Sequence, residues 1–378
     1  MSPRKGSRAA AAVRGTAPGV AGLTPYEPGK PVEELERELG VSGAVKLASN
    51  ENPLGPCAGA RDAIMTGVAG LGRYPDGGGW YLKAALAERL AVAPSQITLG
   101  NGSNDVLELL ARTFVTSGDE VVFSEHAFIV YPIVTQAVGA TAVVARARNH
   151  GHDLDAMAAA VTERTRMVFI ANPNNPTGTW LNTKGLRAFI ADLPAHVLVV
   201  VDEAYFEYVR LPDYPDCTSW LADFPNLVVT RTFSKAHGLA GLRVGYGVSH
   251  GDVAELLNRV RQPFNVNSLA LTAAEAALRD EEHIRRSVEI NEHGLRQLIL
   301  GIEQFGLGYI PSVANFLTID VGRPAAEVYD ALLKDGIIVR PVAGYGLPRH
   351  LRVTVGRERE NRRFLKGLEK VLYGGGKG

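Results

Sequence analysis

From about Leu82 onward, short apolar runs rich in β-branched residues alternate with stretches that have the apolar spacing of an amphipathic helix. The runs are apolar throughout, as is typical of strands that are covered on both faces. Helix-period stretches such as Asn104 to Thr116 and Thr183 to Asp192 lie between them. This alternation predicts a doubly wound α/β domain with a mostly parallel sheet and helices on both faces. The predicted strands are Gln96 to Leu99, Glu120 to Phe123, Ala142 to Ala145, Met167 to Ala171, Val197 to Val201, Leu227 to Thr230 and Gly245 to Val248.

The pattern changes in the C-terminal part of the chain. A long helical stretch from Leu269 to Phe305 carries charges along its length. It is followed by strand-like Phe316 to Asp320, helix-like Ala325 to Lys334, and strand-like Ile337 to Pro341 and Leu351 to Val355. This order predicts a smaller α+β domain.

The length of 378 residues exceeds that of one ordinary domain and favours two or three compact units. We predict a large domain over residues 51–265 and a small C-terminal domain over residues 266–373. Residues 23–50 are predicted to form an N-terminal arm that joins the small domain. Residues 1–22, rich in Ala, Arg and Gly without a long apolar run, are predicted to be a disordered leader, and residues 374–378 a disordered tail.

Composition narrows the classes of protein that this chain can belong to. Forty Lys and Arg balance forty Asp and Glu, whereas a dedicated nucleic-acid binder normally has a basic excess. The two cysteines, Cys57 and Cys217, lack metal-ligand spacing, so neither a zinc site nor a disulfide framework is expected. No stretch approaches the ~20 apolar residues of a membrane helix. We therefore expect a cytoplasmic protein with reduced thiols, no metal, no nucleic acid and no membrane contact.

Lys235 lies just beyond the predicted strand Leu227 to Thr230, in the glycine-rich segment from Thr230 to Tyr246. Ligands of open α/β sheets bind at the carboxyl ends of strands, where a lysine amine can form an imine with an aldehyde. A solvated surface lysine is the commoner reading of an isolated Ser-Lys pair. The neighbouring hydroxyls and guanidinium instead suit a phosphate close to the imine, and they belong to Thr232, Ser234 and Arg243.

Polar side chains also follow two other predicted strands. Asp202 ends the run from Val197 and suits a pyridinium nitrogen, although an aspartate there is more often a helix cap. Tyr205 follows three residues later and can donate to a phenolic oxygen of the same ring. Asn175 lies in Asn-Pro-Asn-Asn-Pro-Thr-Gly and can reach the same oxygen, and a rigid turn without a ligand is the alternative.

A fourth segment, Gly-Asn-Gly-Ser-Asn, joins the strand predicted to end at Leu99 to a helix that begins near Asn104. The backbone N–H groups of Gly102, Ser103 and Asn104 form an anion site at this helix N-terminus. A dinucleotide-binding loop would need a further glycine where Asp105 stands.

Together these four segments resemble, in content and order, the fold-type I pyridoxal-phosphate family, the aspartate-aminotransferase superfamily. The resemblance extends from about Tyr26 to Val355 and implies an aspartate-aminotransferase-like large domain that binds pyridoxal 5'-phosphate. It implies that Lys235 is the Schiff-base lysine and proton shuttle, that Asp202 pairs with the pyridine nitrogen, and that Asn175 and Tyr205 contact the phenolic oxygen.

The same resemblance implies that a cofactor phosphate lies among six residues, with an aromatic ring stacked on the cofactor. Phe128 matches the stacking aromatic, for which a buried core phenylalanine is the alternative. The implied phosphate-binding residues are Gly102, Ser103, Asn104, Thr232, Ser234 and Arg243.

Three further segments are similar to the histidinol-phosphate aminotransferase family: residues 23–30, residues 47–56, and Arg-Tyr-Pro-Asp at residues 73–76. This similarity implies that Tyr74 reaches the cofactor phosphate of a partner subunit, so that a homodimer shares its active sites. It implies that Tyr26 and Asn52 line the substrate pocket. It also implies that Arg352 binds the substrate's anionic end, with Arg340 close by.

The implied activity is amino transfer between L-histidinol phosphate and 2-oxoglutarate, a step of histidine biosynthesis. An aromatic amino-acid aminotransferase and a phosphate-ester amino-acid decarboxylase of the same fold are alternatives, because both retain the arginine pair. A cofactor-sensing regulator would need a DNA-binding domain, for which the segment before Leu23 is expected to be too short. A binding protein without the cofactor is the weakest alternative.

Overall fold

The computed structural model describes residues 16–17, 19–25 and 29–374. Most of the strands are short, as the apolar runs predicted, and several carry buried side chains throughout. In chain order the strands are β1 Val45–Lys46, β2 Ile97–Gly100, β3 Glu120–Ser124, β4 Thr141–Ala145, β5 Ala147–Arg148, β6 Gly151–His152, β7 Thr165–Ala171, β8 Leu198–Asp202, β9 Leu227–Thr232, β10 Gly245–Ser249, β11 Gly308–Ile310, β12 Phe316–Asp320, β13 Ile337–Ile338, β14 Arg340–Val342 and β15 Leu347–Thr354.

The α-helices begin after caps or turns that the sequence supplies locally. Asn182, Asn267 and Asp280, for example, each accept a backbone N–H with the side chain at a helix start. In chain order the helices are α1 Val32–Leu39, α2 Ala58–Gly67, α3 Trp80–Leu90, α4 Ser103–Phe114, α5 Val130–Ala137, α6 Leu154–Ala159, α7 Thr183–Asp192, α8 Gly251–Val260, α9 Ser268–Leu278, α10 Glu281–Gln304, α11 Ala325–Lys334 and α12 Glu358–Tyr373.

A seven-stranded sheet has the order β2-β10-β9-β8-β7-β3-β4. The pairs β9–β8, β8–β7, β7–β3 and β3–β4 are parallel, whereas β10 is antiparallel to both of its neighbours. The predicted doubly wound α/β fold is therefore confirmed. One expectation is wrong: β4 is largely exposed, with Val144 54% exposed, because it is the edge strand and lacks cover on both faces.

Apolar side chains cover both faces of this sheet. One core contains Leu86, Val199 and Val229, and the other contains Leu110, Phe169 and Val200, so successive residues of β8 face opposite sides. Helices therefore pack on both faces and leave the carboxyl ends of the parallel strands accessible at one edge.

The C-terminal unit contains an antiparallel sheet of order β11-β12-β15-β14, whose core includes side chains from α10, α11 and α12. The predicted single helix from Leu269 to Phe305 is instead two helices, α9 and α10. The break occurs at Asp280, whose side chain accepts from the His283 backbone N–H at 2.9 Å and starts a new helix. The predicted strand Ile337 to Pro341 is likewise divided into β13 and β14.

The cores of the structure indicate where the large domain ends, which was predicted to be at residue 265. Ala270, Ala273 and Ala277 of α9 are buried in the same core as β8 and β9, where the helix packs on α2. The packing therefore favours a boundary near Asp280, after α9. The N-terminal arm contacts the C-terminal unit, because β1 pairs in parallel with β13 and Leu35 packs on Ile338.

Residues 1–15 and 18 of the predicted leader lie outside the described residues, as do residues 375–378 of the predicted tail. Within the described part, Val20–Gly22 forms a 3-10 turn, and the Gly19 carbonyl accepts from Gln136 Nε2 at 2.9 Å. Cys57 and Cys217 are buried free thiols. None of the described helices is long and apolar enough to cross a membrane.

Candidate active site

A cavity of about 260 Å³ lies at the carboxyl-end edge of the large sheet. The loops after β2, β3, β7, β8 and β9 converge there because parallel strands all end at the same edge. The C-terminal unit and the N-terminal arm complete its wall. The residues that line it are Ser49, Asn50, Glu51, Ser103, Asn104, Phe128, Ala171, Pro173, Asn175, Asp202, Ala204, Tyr205, Thr232, Ser234, Lys235, Ala240, Arg243, Arg340, Tyr345 and Arg352.

Lys235 occupies this cavity immediately after β9. Its Nζ donates to the Ser49 carbonyl oxygen at 3.0 Å. Burial lowers the pKa of Lys235 to about 7, and the cations of Arg352 and Arg243 add to the effect. At neutral pH a substantial fraction of this amine is therefore unprotonated. An unprotonated lysine can act as a nucleophile or as a proton acceptor.

Asp202 ends β8 and is buried beneath the cavity. Its carboxylate accepts from the Tyr131 hydroxyl and from Thr230 Oγ1, each at 3.0 Å. Burial raises the pKa of Asp202 to about 6, and these two hydrogen bonds oppose the rise. The group is mainly ionised at neutral pH and can pair with a cationic ring nitrogen.

Tyr205 is oriented by the N-terminal arm. Its hydroxyl accepts from Asn50 Nδ2 at 2.8 Å, while the Asn50 backbone N–H donates to Thr354 Oγ1 at 2.9 Å. Burial raises the pKa of Tyr205 to about 12, so the phenol keeps its proton at neutral pH. Because its oxygen accepts from Asn50, the hydroxyl proton is available to a ligand oxygen in the cavity.

Arg352 joins the C-terminal unit to the loop after β7. Its Nη1 donates to Asn175 Oδ1 and its Nη2 to the Ala48 carbonyl oxygen, both at 2.6 Å. Its Nε is buried without a hydrogen-bond partner, and the guanidinium pairs with no carboxylate among the described residues. The Asn175 amide N–H₂ remains as a donor because its oxygen is occupied.

Arg340 lies directly opposite Arg352 on the neighbouring strand, with their Cα atoms paired in the β14–β15 register. Both side chains line the cavity, where two guanidiniums offer hydrogen-bond donors and positive charge to an anionic ligand group. Tyr345, in the turn after β14, also lines the cavity.

A second cationic corner lies where β2, β9 and β10 meet. Arg243 Nη1 donates to Ser234 Oγ at 3.2 Å, and Thr232 Oγ1 lies 3.1 Å from the same oxygen. The first N–H groups of α4, at Ser103 and Asn104, have no acceptor within the helix. Gly102 permits the close approach, since a Cβ there would be 2.3 Å from Arg243 Nη2.

The structure therefore brings most of the predicted site residues to one cavity. Asn52 is not among the lining residues, since its amide donates to the Ala236 carbonyl oxygen at 2.7 Å and to Ser287 Oγ at 2.8 Å. Tyr74 is 82% exposed and stacks on Phe264, with ring centroids 4.8 Å apart. Tyr26 lies outside the described residues.

Several residues that contact the site were not predicted. Tyr131 and Thr230 hold the Asp202 carboxylate, Asn50 orients Tyr205, and Ser49 accepts from Lys235. All four stand in or beside the motifs already noted. The motifs around these four residues indicated the site, but the spacing of residues in the motifs did not specify which side chains face the cavity.

These residues fit pyridoxal phosphate. The corner at Gly102 and Arg243 offers N–H groups, hydroxyls and a guanidinium to a phosphate. Asp202 offers a carboxylate to a ring nitrogen, and Asn175 and Tyr205 offer donors to a ring oxygen. Lys235 offers its amine to an aldehyde, and half-buried Phe128 offers a ring face. No cluster of His, Cys, Asp and Glu able to hold a metal occurs among the described residues.

Comparison with known proteins agrees with this arrangement. The sequence pattern of the family described as aminotransferase class I and II matches residues 42–368. The chain belongs to the class I and II aminotransferases. It is a pyridoxal-phosphate-dependent enzyme of fold type I, as the motifs implied.

This aminotransferase is similar over most of its length to proteins named histidinol-phosphate aminotransferase. A histidinol-phosphate aminotransferase 1 from Nitrosococcus oceani is 59% identical over 94% of this chain and 96% of its own length. A histidinol-phosphate aminotransferase 2 from Pseudomonas fluorescens Pf-5 is 60% identical, again over 94% of this chain and 96% of its own length.

Solved structures agree in fold. The histidinol-phosphate aminotransferase of Sinorhizobium meliloti, solved in complex with pyridoxal-5'-phosphate, has a TM-score of 0.89 and 30% identity, covering 95% of this chain and 98% of its own. A Thermus thermophilus aspartate aminotransferase variant has a TM-score of 0.83 at 22% identity, with coverage of 95% and 100%. The aspartate-aminotransferase-like fold is confirmed.

Proposed function

We propose that this aminotransferase moves an amino group between L-histidinol phosphate and 2-oxoglutarate. The observation that carries the proposal is the opposed pair Arg340 and Arg352 beside Lys235, with Arg352 Nε unpartnered in the cavity wall. Two guanidiniums suit a phosphate dianion, and the Nitrosococcus and Pseudomonas relatives carry the name of this activity. 2-Oxoglutarate is also anionic at its far end and suits the same pair.

The cofactor supplies an aldehyde that condenses with an amine and a cationic ring that withdraws electrons from the donor's α carbon. Lys235 performs the proton transfer. Its unprotonated Nζ would take the proton from the donor's α carbon and deliver it to the carbon supplied by the cofactor's aldehyde, because burial and nearby cations keep the lysine pKa near neutrality. The Arg352 cation disfavours the protonated lysine further.

Asp202 and Tyr205 have complementary roles on the ring. The buried Asp202 carboxylate, held by Tyr131 and Thr230, keeps the ring nitrogen protonated. Tyr205, oriented by Asn50, and the Asn175 amide donate to the ring oxygen. Phe128 excludes water from one face of the ring. Ser103, Asn104, Thr232, Ser234 and Arg243, with the backbone at Gly102, hold the cofactor phosphate.

Half-reaction rates test the choice of donor. The loaded enzyme is mixed separately with L-histidinol phosphate, L-histidinol and L-phenylalanine, and the cofactor spectrum is followed in time. We expect the highest second-order rate constant with L-histidinol phosphate. The ratio of this rate constant to that of L-histidinol measures the contribution of the phosphate alone. Preference for L-phenylalanine would identify an aromatic amino-acid aminotransferase instead.

Product analysis tests the reaction class. With L-histidinol phosphate and 2-oxoglutarate we expect one glutamate for each donor consumed. A decarboxylase would instead release carbon dioxide from a phosphorylated amino acid and form no glutamate. The two readouts separate the reaction class from the choice of donor.

A homodimer with shared active sites is part of the proposal. Large apolar side chains are exposed along the segment of the chain that contains Tyr74, and at Phe264, which stacks on Tyr74; this exposure supports an interface. Tyr74 itself is the residue expected to reach the partner's cofactor phosphate. The exposed apolar side chains are Met65, Val68, Leu71, Tyr74, Trp80, Tyr81 and Phe264.

A further inference from the structure

The turn Ala343–Tyr345 joins β14 to β15 and carries Tyr345 into the cavity wall that also contains Arg340 and Arg352. The base of this turn is anchored, since Val342 and Leu347 are buried together with Ile310. Its tip is exposed at Ala343, Gly344 and Gly346. The Tyr345 side chain packs against this buried cluster, while its backbone belongs to the more exposed part of the turn.

His126, in the loop after β3, contacts this tip. Its ring Nδ1 lies 2.7 Å from the Tyr345 carbonyl oxygen. Because a carbonyl oxygen only accepts, this contact requires the ring tautomer that carries its proton on Nδ1. The ring also lies against Gly346, where a Cβ would be 3.6 Å from it. His126 is only 8% exposed.

The backbone of His126 is held independently of its ring. Asn174 Nδ2 donates to the His126 carbonyl oxygen at 3.0 Å, and Asn174 precedes the Asn175 that contacts Arg352. Phe128, two residues later, has its own support in an edge contact with Tyr131, with centroids 5.8 Å apart. Loss of the His126 ring should therefore release the tip of the turn without displacing the cofactor's neighbours.

We propose that His126 is a positioning residue for the donor: its ring holds the turn Ala343–Tyr345 so that Tyr345 keeps its place beside the arginine pair. His126 is not among the residues that line the cavity and acts through Tyr345. The effect falls on donor binding because Tyr345 shares a wall with the anion site. Proton transfer at Lys235 is left largely unchanged.

Three variants of His126 separate its hydrogen bond from its bulk. His126→Phe keeps a ring but removes the donor, and His126→Leu removes it with a smaller side chain in case the first variant does not fold. His126→Asn restores a donor, since asparagine Nδ2 occupies nearly the position of histidine Nδ1. His196→Phe, at an exposed histidine remote from the cavity loops, is the matched control.

Steady-state kinetics use whichever of L-histidinol phosphate and L-phenylalanine the wild-type enzyme turns over faster, so failure of the proposed substrate does not affect the test. We expect His126→Phe to raise the donor KM about fivefold to tenfold, as for loss of one hydrogen bond, with kcat changed less than about twofold. His126→Asn should recover most of the loss. An unchanged KM, or a fall in kcat alone, would overturn the proposal.

Two further measurements separate positioning from a general structural effect. In a Tyr345→Ala background, His126→Phe should add less than about a twofold change in KM, because the coupled partner is already gone. Hydrogen exchange of residues 343–347 should accelerate in His126→Phe and remain near wild type in His126→Asn and His196→Phe. Full additivity of the two substitutions, or unchanged exchange, contradicts the assignment.

Discussion

Arg352 Nη1 donates to Asn175 Oδ1 across 2.6 Å, which connects the C-terminal sheet to the loop after β7. Arg352 Nη2 is held by the Ala48 carbonyl oxygen, so the guanidinium is fixed at both of its terminal nitrogens. Its position is therefore set before any substrate binds. The same bond occupies the Asn175 carbonyl oxygen and leaves its amide nitrogen as a donor in the cavity wall, where we propose that it binds the ring oxygen of the cofactor.

Arg352→Lys should lower kcat/KM for an anionic donor by about 10- to 100-fold, mainly through KM. A lysine ammonium lacks the planar fork that serves Asn175, Ala48 and an anion at once. Arg349→Ala is the matched control, because Arg349 is on the same strand but pairs with Asp320 at an exposed position. Steady-state kinetics decide, and equal losses in both variants would argue against a specific role.

Lys235→Met should abolish turnover and change how the stability of the cofactor-free protein depends on pH. The pKa of Lys235 is about 7 in the folded state against an ordinary value of 10.5, so between these values the unfolded chain binds more protons. Wild-type stability should therefore rise relative to Lys235→Met by about 1.4 kcal/mol per pH unit above pH 7, with no difference in slope well below it.

Denaturant titrations of wild type and Lys235→Met at pH 6, 8 and 9 give the free energy of unfolding of each protein. The difference between the two proteins at each pH isolates the contribution of Lys235, because the other titrating groups are common to both. Parallel stability curves would mean that the lysine is not held in the uncharged form. Turnover should fall by at least ~10³-fold, as expected for loss of a general base and nucleophile.

Asp202→Asn should stabilise the cofactor-free protein and disable the loaded enzyme. The pKa of Asp202 is raised to about 6 from 3.8, so the folded state binds more protons in this window and wild-type stability falls as pH rises through it. Above pH 6 the variant should therefore be more stable, with the gain vanishing below pH 4. Thermal unfolding across pH measures this.

The same variant should lose about 100-fold or more in kcat, because a neutral amide does not keep the ring nitrogen protonated. Tyr131→Phe removes one hydrogen bond to the carboxylate and should cost far less. A variant Asp202→Asn with normal kcat would contradict the assigned pairing.

Mixing two inactive variants tests the shared active site. Lys235→Met lacks the amine, and Tyr74→Ala lacks the side chain proposed to reach the partner's site. If Tyr74 acts across the interface, mixed dimers contain one site with both residues intact, and activity should reappear after exchange of subunits. Sedimentation should show a dimer for each variant. Leu211→Ser, at an exposed apolar residue outside the segment that contains Tyr74, is the control and should also remain dimeric.

Much of the fold and site could be predicted from the chain alone. The strands of the large sheet stand close to their predicted positions because buried strands need contiguous apolar residues. Asp202 ends β8 and Lys235 follows β9, both parallel strands that end at one edge of the sheet. Arg243 stands just before the antiparallel β10, which begins at that same edge, so their convergence follows from topology. The helix break at Asp280 was missed because the apolar periodicity continues across a residue that caps a new helix. The exposure of β4 was missed because the position of a strand at the edge of a sheet depends on the whole topology and not on the strand's own sequence.

The sequence determined the chemistry: which amine, carboxylate, hydroxyls and arginines are present, and at which strand ends they stand. The tertiary structure decided which groups hold these in place. Asn50 on Tyr205, Tyr131 on Asp202 and His126 on the turn at Tyr345 are contacts between residues far apart in the chain. Spacing does not encode such contacts, because they depend on how separate loops pack against each other. The low pKa of Lys235 has the same origin, since it results from burial and from arginines that the fold brings close to the lysine.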